Sequence, residues 1–197
     1  MRGHGGEDIA WSFTAIPDRA PKIELAKDPE PQGRGALQFV YTVEDDYGVV
    51  EAQAIFALKK NDSSDGKIAR PLFGPPDFTL SLPQQRTRNG VGQIVKDLSD
   101  HPWAGVDVVL ALRAHDEAGQ EGRSAPFEMR LPERAFVKPL ARALIEQRRN
   151  LALDAEAAPR VLAALDALSI APERFTPEVS IYLGLRAIYW QLTRAKT

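Results

Sequence analysis

Few side chains in this sequence are of the kinds that do covalent or metal chemistry, and the ones that cluster are carboxylates. Glu44, Asp45 and Asp46 stand together ahead of Tyr47-Gly48, and Asp116 and Glu117 follow His115. Five carboxylates from two turns would offer oxygens to Ca²⁺, which takes about six to eight. A carboxylate pair at about 5 Å or at about 6.5–9.5 Å would serve the hydrolysis of a glycoside, provided one of them had a raised pKa in a cleft. Turn chemistry competes with both ideas. Asp hydrogen-bonds its own backbone two residues on and populates turns for that reason, and Arg113 or Arg123 is at hand to neutralise part of the charge. The candidate calcium ligands are therefore Asp45, Asp46, Asp116 and Glu117, set against a purely structural role. The sequence assigns no catalytic residue and no cofactor.

Other chemistries lack their parts. His115 beside Asp116 evokes a triad, yet no serine stands in a nucleophile-elbow sequence, and a histidine on the outer face of a strand accounts for it. The other two histidines, His4 and His101, share no metal-ligand spacing with it. The absence of cysteine removes thiolate nucleophiles, disulfides and cysteine-based metal centres. Gly33-Arg34-Gly35 and Gly119–Gly122 have neither the spacing nor the following helix of a phosphate loop. A net charge of −2 gives no electrostatic drive toward nucleic acid. No run of about 18 apolar residues is present to span a bilayer.

The acidic turns need strands to hold them. Leu37, Phe39, Tyr41 and Val43 alternate with Gln38, Val40, Thr42 and Glu44, and Val50, Ala52, Ala54, Phe56 and Leu58 continue the pattern beyond Gly48. This is the period of two that puts one strand face in a core. The expectation is a hairpin over Leu37–Leu58 with its tip at Glu44–Gly48. Further strands are expected over residues 8–16, where Ile9, Trp11 and Phe13 alternate, and as a short piece at Ile23–Leu25. Others are expected around Phe78–Leu82, over Val91–Leu98, over Val106–His115 and at Ala125–Leu131. Asp28–Gly33, with Pro29 and Pro31, reads as a loop, as do Asn61–Gly66 and Gln84–Gly90. Trp11 and Trp103 are expected to pack in the core or at a corner.

After Pro132 the composition turns to Ala, Leu, Arg and Glu. One amphipathic helix is expected over residues 133–151, with Phe136, Val137, Leu140, Leu144 and Leu151 on its apolar face. A second is expected with Pro159 in its first turn and Val161, Leu165 and Leu168 along its stripe. A third would be capped by Thr176 and carry Ile181, Tyr182, Leu185, Ile188, Tyr189, Trp190 and Leu192. The last helix has more large apolar groups than one buried face can absorb. That makes Tyr182, Tyr189 and Trp190 candidates for an interface. The chain thus divides into a polar leader at 1–7, a β-domain at 8–132 and a helical segment at 133–197 packed on the β-domain or on a partner. The fold class is a mainly antiparallel β-sandwich of immunoglobulin or fibronectin type III character, followed by three helices.

Several runs together carry a family likeness. They are Ile16-Pro-Asp-Arg-Ala-Pro-Lys-Ile23, Lys27-Asp-Pro-Glu-Pro31, Val43-Glu-Asp-Asp-Tyr-Gly-Val49, His101-Pro-Trp-Ala-Gly105, Asp116-Glu-Ala-Gly-Gln-Glu-Gly-Arg-Ser124 and Pro139-Leu-Ala-Arg-Ala-Leu-Ile-Glu-Gln-Arg-Arg149. On these the sequence resembles a family of long alphaproteobacterial membrane proteins of unknown function. Its members have N-terminal membrane helices and a large region outside the membrane with Gln/Gly-rich low complexity. The resemblance implies a periplasmic, membrane-tethered setting, in which this chain is an internal soluble fragment that meets the membrane only through segments outside it. It brings no activity. The expected function is a non-enzymatic spacer or protein-interaction module, binding an envelope protein or itself through the last helix. A carbohydrate- or peptidoglycan-binding module is the alternative.

Overall fold

The structure is a computed structural model that describes residues 11–14, 17–59, 70–170 and 178–195. Among the described residues, seven strands make one antiparallel sheet: β1 Lys22–Gln32, β2 Ala36–Leu58, β3 Asp77–Thr79, β4 Thr87–Asp97, β5 Asp107–Asp116, β6 Glu121–Arg123 and β7 Phe127–Arg130. Three α-helices follow among the described residues: α1 Pro139–Leu153, α2 Ala158–Leu168 and α3 Val179–Ala195.

The expected hairpin is instead one long strand. The two halves of β2 do not pair with each other. The first half runs between β1 and β4, while the second pairs with β5 and β3. Where a turn was expected, the ladder with β4 steps from Glu44↔Asn89 to Val49↔Thr87. Residues 45–48 are therefore looped out against Arg88 alone, as an enlarged bulge. A bulge of this kind bends its strand and increases the local twist. A second irregularity, in the ladder with β5 between Val49↔Asp116 and Glu51↔His115, shifts the side-chain phase, so Val49 is buried and Val50 exposed before Ala52, Ala54 and Phe56 resume the expected alternation.

The bend lets one strand serve both halves of the core. Leu37, Phe39, Tyr41 and Val43 from the first half meet Ala52, Ala54 and Phe56 from the second in a single cluster with Val108, Leu110 and Leu112 of β5. The Phe78 ring lies 5.5 Å from that of Phe39 and 6.0 Å from that of Phe56. The sheet is thus curled on itself, and the coarse architecture is mixed: an antiparallel β-sheet followed by three helices.

Three other expectations are revised. β1 runs straight through Pro29 and Pro31, which were assigned to a loop. It does so as an edge strand with register shifts at Leu25/Lys27 and Lys27/Glu30, and edges and bulges are where a sheet tolerates proline. β4 begins at Thr87 and takes in the end of the supposed 84–90 loop. Residues 11–14 are not in a strand, and Trp11 and Phe13 are 78% and 88% exposed, so Trp11 is not a core residue. The remainder of that expected strand, the 1–7 leader, the Asn61–Gly66 turn and the Thr176 cap lie outside the described residues. Trp103 is buried as expected, and its Nε1–H donates to the Phe73 carbonyl at 3.0 Å.

The helices begin where capping chemistry allows. α1 starts at Pro139, six residues later than expected, because proline suits the first turn; Phe136 and Val137 precede it outside any helix or strand. Asp154 caps the short turn Ala155–Ala157 through its side chain, and Pro159 opens α2. Leu140, Val161, Leu165 and Leu185 form a second core among the three helices. This unit is tied to the sheet by polar contacts. The Leu72 N–H donates to the Ala152 carbonyl at 3.0 Å, and the Ala155 N–H to the Arg70 carbonyl at 2.9 Å. Arg149 Nε donates to the Ala104 carbonyl at 2.8 Å, while its guanidinium also pairs with Glu133.

Candidate functional site

Two regions carry the residues singled out from sequence, and they differ in kind. The first is the acidic end of the sheet. The β2–β5 ladder sets Val49 opposite Asp116, which brings the bulge and the β5–β6 turn side by side as expected. Asp45 is buried, and its Oδ2 accepts from the Tyr47 N–H at 3.1 Å and the Gly48 N–H at 2.5 Å. Asp116, only 3% exposed, accepts the Gln120 N–H on Oδ1 at 2.7 Å. Each aspartate therefore closes its own loop, which is the ordinary reason for Asp in a turn. Glu117 is exposed and pairs with Arg86 at 2.5 Å. The counter-cation is thus Arg86 and not Arg113 or Arg123, which gather at Glu121. Among the described residues, no three carboxylate, histidine or cysteine side chains converge in a way that would hold a metal ion.

The same end contains a residue that the sequence patterns did not reveal. Asp18 lies near Asp46 and Asp116, and burial followed by hydrogen bonding and charge from Asp46 holds its carboxyl above the usual carboxylate range. A hydrogen bond from Gln120 acts in the opposite direction. Asp18 Oδ1, Asp45 Oδ1 and Asp116 Oδ2 are buried without a hydrogen-bond partner. Nothing in Pro17-Asp18-Arg19 signals this, because the approach of residue 18 to the bulge is purely tertiary. His115 sits on β5 with Nε2 3.3 Å from the Glu121 carboxylate.

The second region is the helical unit. The α1–α3 helices and the segment at Leu72–Phe73 enclose an open groove of about 930 Å³. Its walls are apolar, with Phe73, Phe136, Leu144, Leu151, Ile188 and Leu192 prominent among them. Gln147, Arg148 and Gln191 are the polar residues on its lining. On α3, Leu185 is buried, while Val179, Leu183, Ile188 and Trp190 are 70%, 60%, 49% and 50% exposed. Val179, Leu183, Arg186 and Trp190 follow one another at i, i+4, i+7 and i+11, the spacing of one helix face. Tyr189 and Trp190 meet edge to face at 5.5 Å. The Arg186 guanidinium lies over both rings, at 5.1 and 5.8 Å, and reaches Asp166 at 3.3 Å. Tyr189 packs against the helical core, so of the three candidate interface aromatics Trp190 is the most outward.

The whole chain, residues 1–197, matches the family described as Domain of unknown function (DUF4175). The chain belongs to this family. No match is found among curated proteins. Membership in the DUF4175 family agrees with the resemblance read from the sequence as far as an uncharacterised domain family, and it assigns a role to no residue. Among the described residues, no helix is long and apolar enough to cross a membrane.

Proposed function

We propose that this chain is a non-enzymatic protein-interaction module whose working surface is the helical unit. It stands in the extracytoplasmic part of a membrane-anchored alphaproteobacterial protein, on the periplasmic side of the inner membrane. The curled sheet serves as an immunoglobulin-like sandwich that holds the helices at one corner and spaces them from the rest of the molecule. The observation that carries this is the double exposure of α3. It lines an apolar groove with Ile188 and Leu192 and presents Val179, Leu183 and Trp190 on another face. Contiguous exposed apolar surface of this kind marks interaction sites in soluble domains. At the acidic end, Asp45 and Asp116 each give one oxygen to turn amides and Glu117 pairs with Arg86, which supports a structural role for those turns.

A glycan-binding module would present aromatic rings in a row on a sheet face. Here the exposed tryptophans are Trp11, outside any strand, and Trp190, on α3. The test is a pull-down from envelope extract with the native chain, compared with Ile188→Glu and Trp190→Glu variants, both at half-exposed positions. Partners recovered by the native chain should be lost from at least one variant, with unchanged far-ultraviolet circular dichroism. Equal recovery by all three would refute the helical surface as the binding site.

A further inference from the structure

The edges of the sheet are treated unequally. β1 carries Pro29, Pro31, two register shifts and the charges of Lys22, Glu24, Lys27, Asp28 and Glu30. These are the devices by which sheets discourage pairing with another chain. β3, β6 and β7 are only three, three and four residues long. β4 is eleven residues long, and its charges, Arg88, Lys96 and Asp97, stand only at its two ends. Among the described residues it pairs only with β2, and it does so in unbroken register from Asn89 to Asp97 with no proline. Its outward face repeats Val91, Gln93 and Val95, with the two valines 64% and 57% exposed. The Lys96 ammonium lies over the Phe78 ring at 5.6 Å.

We propose that β4 is the contact through which two copies of this chain pair edge to edge, antiparallel, about a two-fold axis at Gln93. A two-fold axis perpendicular to the sheet keeps every residue on its own face, so only positions of like parity stand opposite one another. With Gln93 opposite its own copy, Val91 faces Val95 of the second copy, twice. Asn89 faces Asp97 of the second copy and Lys96 faces Gly90, so no like charges are opposed. Moving the axis to Gly92 sets Arg88 against Lys96 of the second copy. Moving it to Ile94 sets Val91 against Asp97. Among these three axes, charge and apolar complementarity favour the one at Gln93, which also covers both exposed valines. This surface is separate from the helical one, so the two readings fail independently.

The test is sedimentation velocity of the 197-residue chain over a concentration series, with amide hydrogen exchange at low and high concentration. The native chain should dimerise reversibly, with exchange slowed in residues 87–97 at high concentration. The double variant Val91→Lys/Val95→Lys opposes like charges twice and should weaken the dimer by about tenfold or more. The double variant Val91→Lys/Val95→Glu opposes unlike charges at the same places and should match or exceed native affinity. If Val91→Lys/Val95→Lys fails to fold, Gln93→Lys puts two like charges on the axis and should weaken the dimer in the same direction. The proposal is overturned by a native chain that stays monomeric up to about 1 mM. A dimer on which both double variants act alike, or concentration-dependent protection confined to α3, would overturn it too. So would an extended peptide of another protein occupying β4 while the native chain remains monomeric.

Discussion

Gly48→Ala tests the central structural claim, that β2 is one strand bent through an enlarged bulge. Gly48 has φ +114°, outside the range that side-chain-bearing residues adopt comfortably. Forcing such a conformation costs about 1–3 kcal/mol. A Cβ there would lie 2.6 Å from the Arg86 carbonyl oxygen and 2.8 Å from its carbon. These are backbone atoms just ahead of β4, so relief requires moving a strand rather than rotating a side chain. Overpacking of that kind adds about 1–3 kcal/mol. The sum is about 4 kcal/mol, a large share of the roughly 5–15 kcal/mol that holds a domain folded. In a chain of this size it lowers Tm by about 8–16 °C. The assay is urea and thermal unfolding, with Gly33→Ala as the control, since a Cβ at Gly33 meets nothing within 4 Å. The control should stay within about 0.5 kcal/mol of native. A Gly48→Ala loss below about 1 kcal/mol is what a solvent-exposed hairpin tip would show, and it would refute the close approach of the bulge to Arg86.

Three further predictions follow from other contacts. Gly184→Ala should stabilise by about 1 kcal/mol, because a Cβ there meets nothing within 4 Å and α3 recovers helix propensity; chemical denaturation measures it. Arg149→Ala should cost about 1.5–3 kcal/mol through loss of its charged hydrogen bonds to Ala104 and Glu133, with Arg149→Lys intermediate because lysine lacks the planar fork. His101 is held below the usual histidine range by burial and then by the charge of Arg148, and its Nδ1 accepts the Trp103 N–H at 3.1 Å. The folded state therefore takes up that proton less readily than the unfolded chain. Its contribution is complete above the unfolded pKa of about 6.5 and is lost as pH falls through the lowered folded value. Melting curves between neutral and mildly acidic pH should show the loss, and His101→Asn should flatten that part of the profile.

Local pattern was enough to reveal most of the elements. Alternation in Leu37–Val43 and Val106–Ala114 marks strands whose inward residues are those found buried. Pro159 marks a helix start that the structure keeps, whereas α1 starts at Pro139, inside the expected 133–151 helix. The acidic turns lie at one end because β2 pairs antiparallel with β5, which sets Val49 opposite Asp116. What alternation cannot convey is which strand lies beside which. Residues 37–43 and 51–58 read equally well as two arms of a hairpin or as two stretches of one bent strand, since a bulge and a tight turn use the same Asp and Gly.

The sequence by itself determined that antiparallel strands precede helices and that no thiolate is available. These depend on residue identity and on periods of two and 3.6, which are local properties. The tertiary structure decided that Asp45 and Asp116 close loops and that Arg86, not Arg113 or Arg123, answers Glu117. It placed Asp18 against the bulge, left β4 as the one long unprotected edge among the described strands, and opened the apolar groove under α3. Each of these depends on contacts between residues distant in sequence. The bulge at 45–48 is the physical hinge between the two levels: its composition is legible as a turn, and only the strands on either side of it make it a bend.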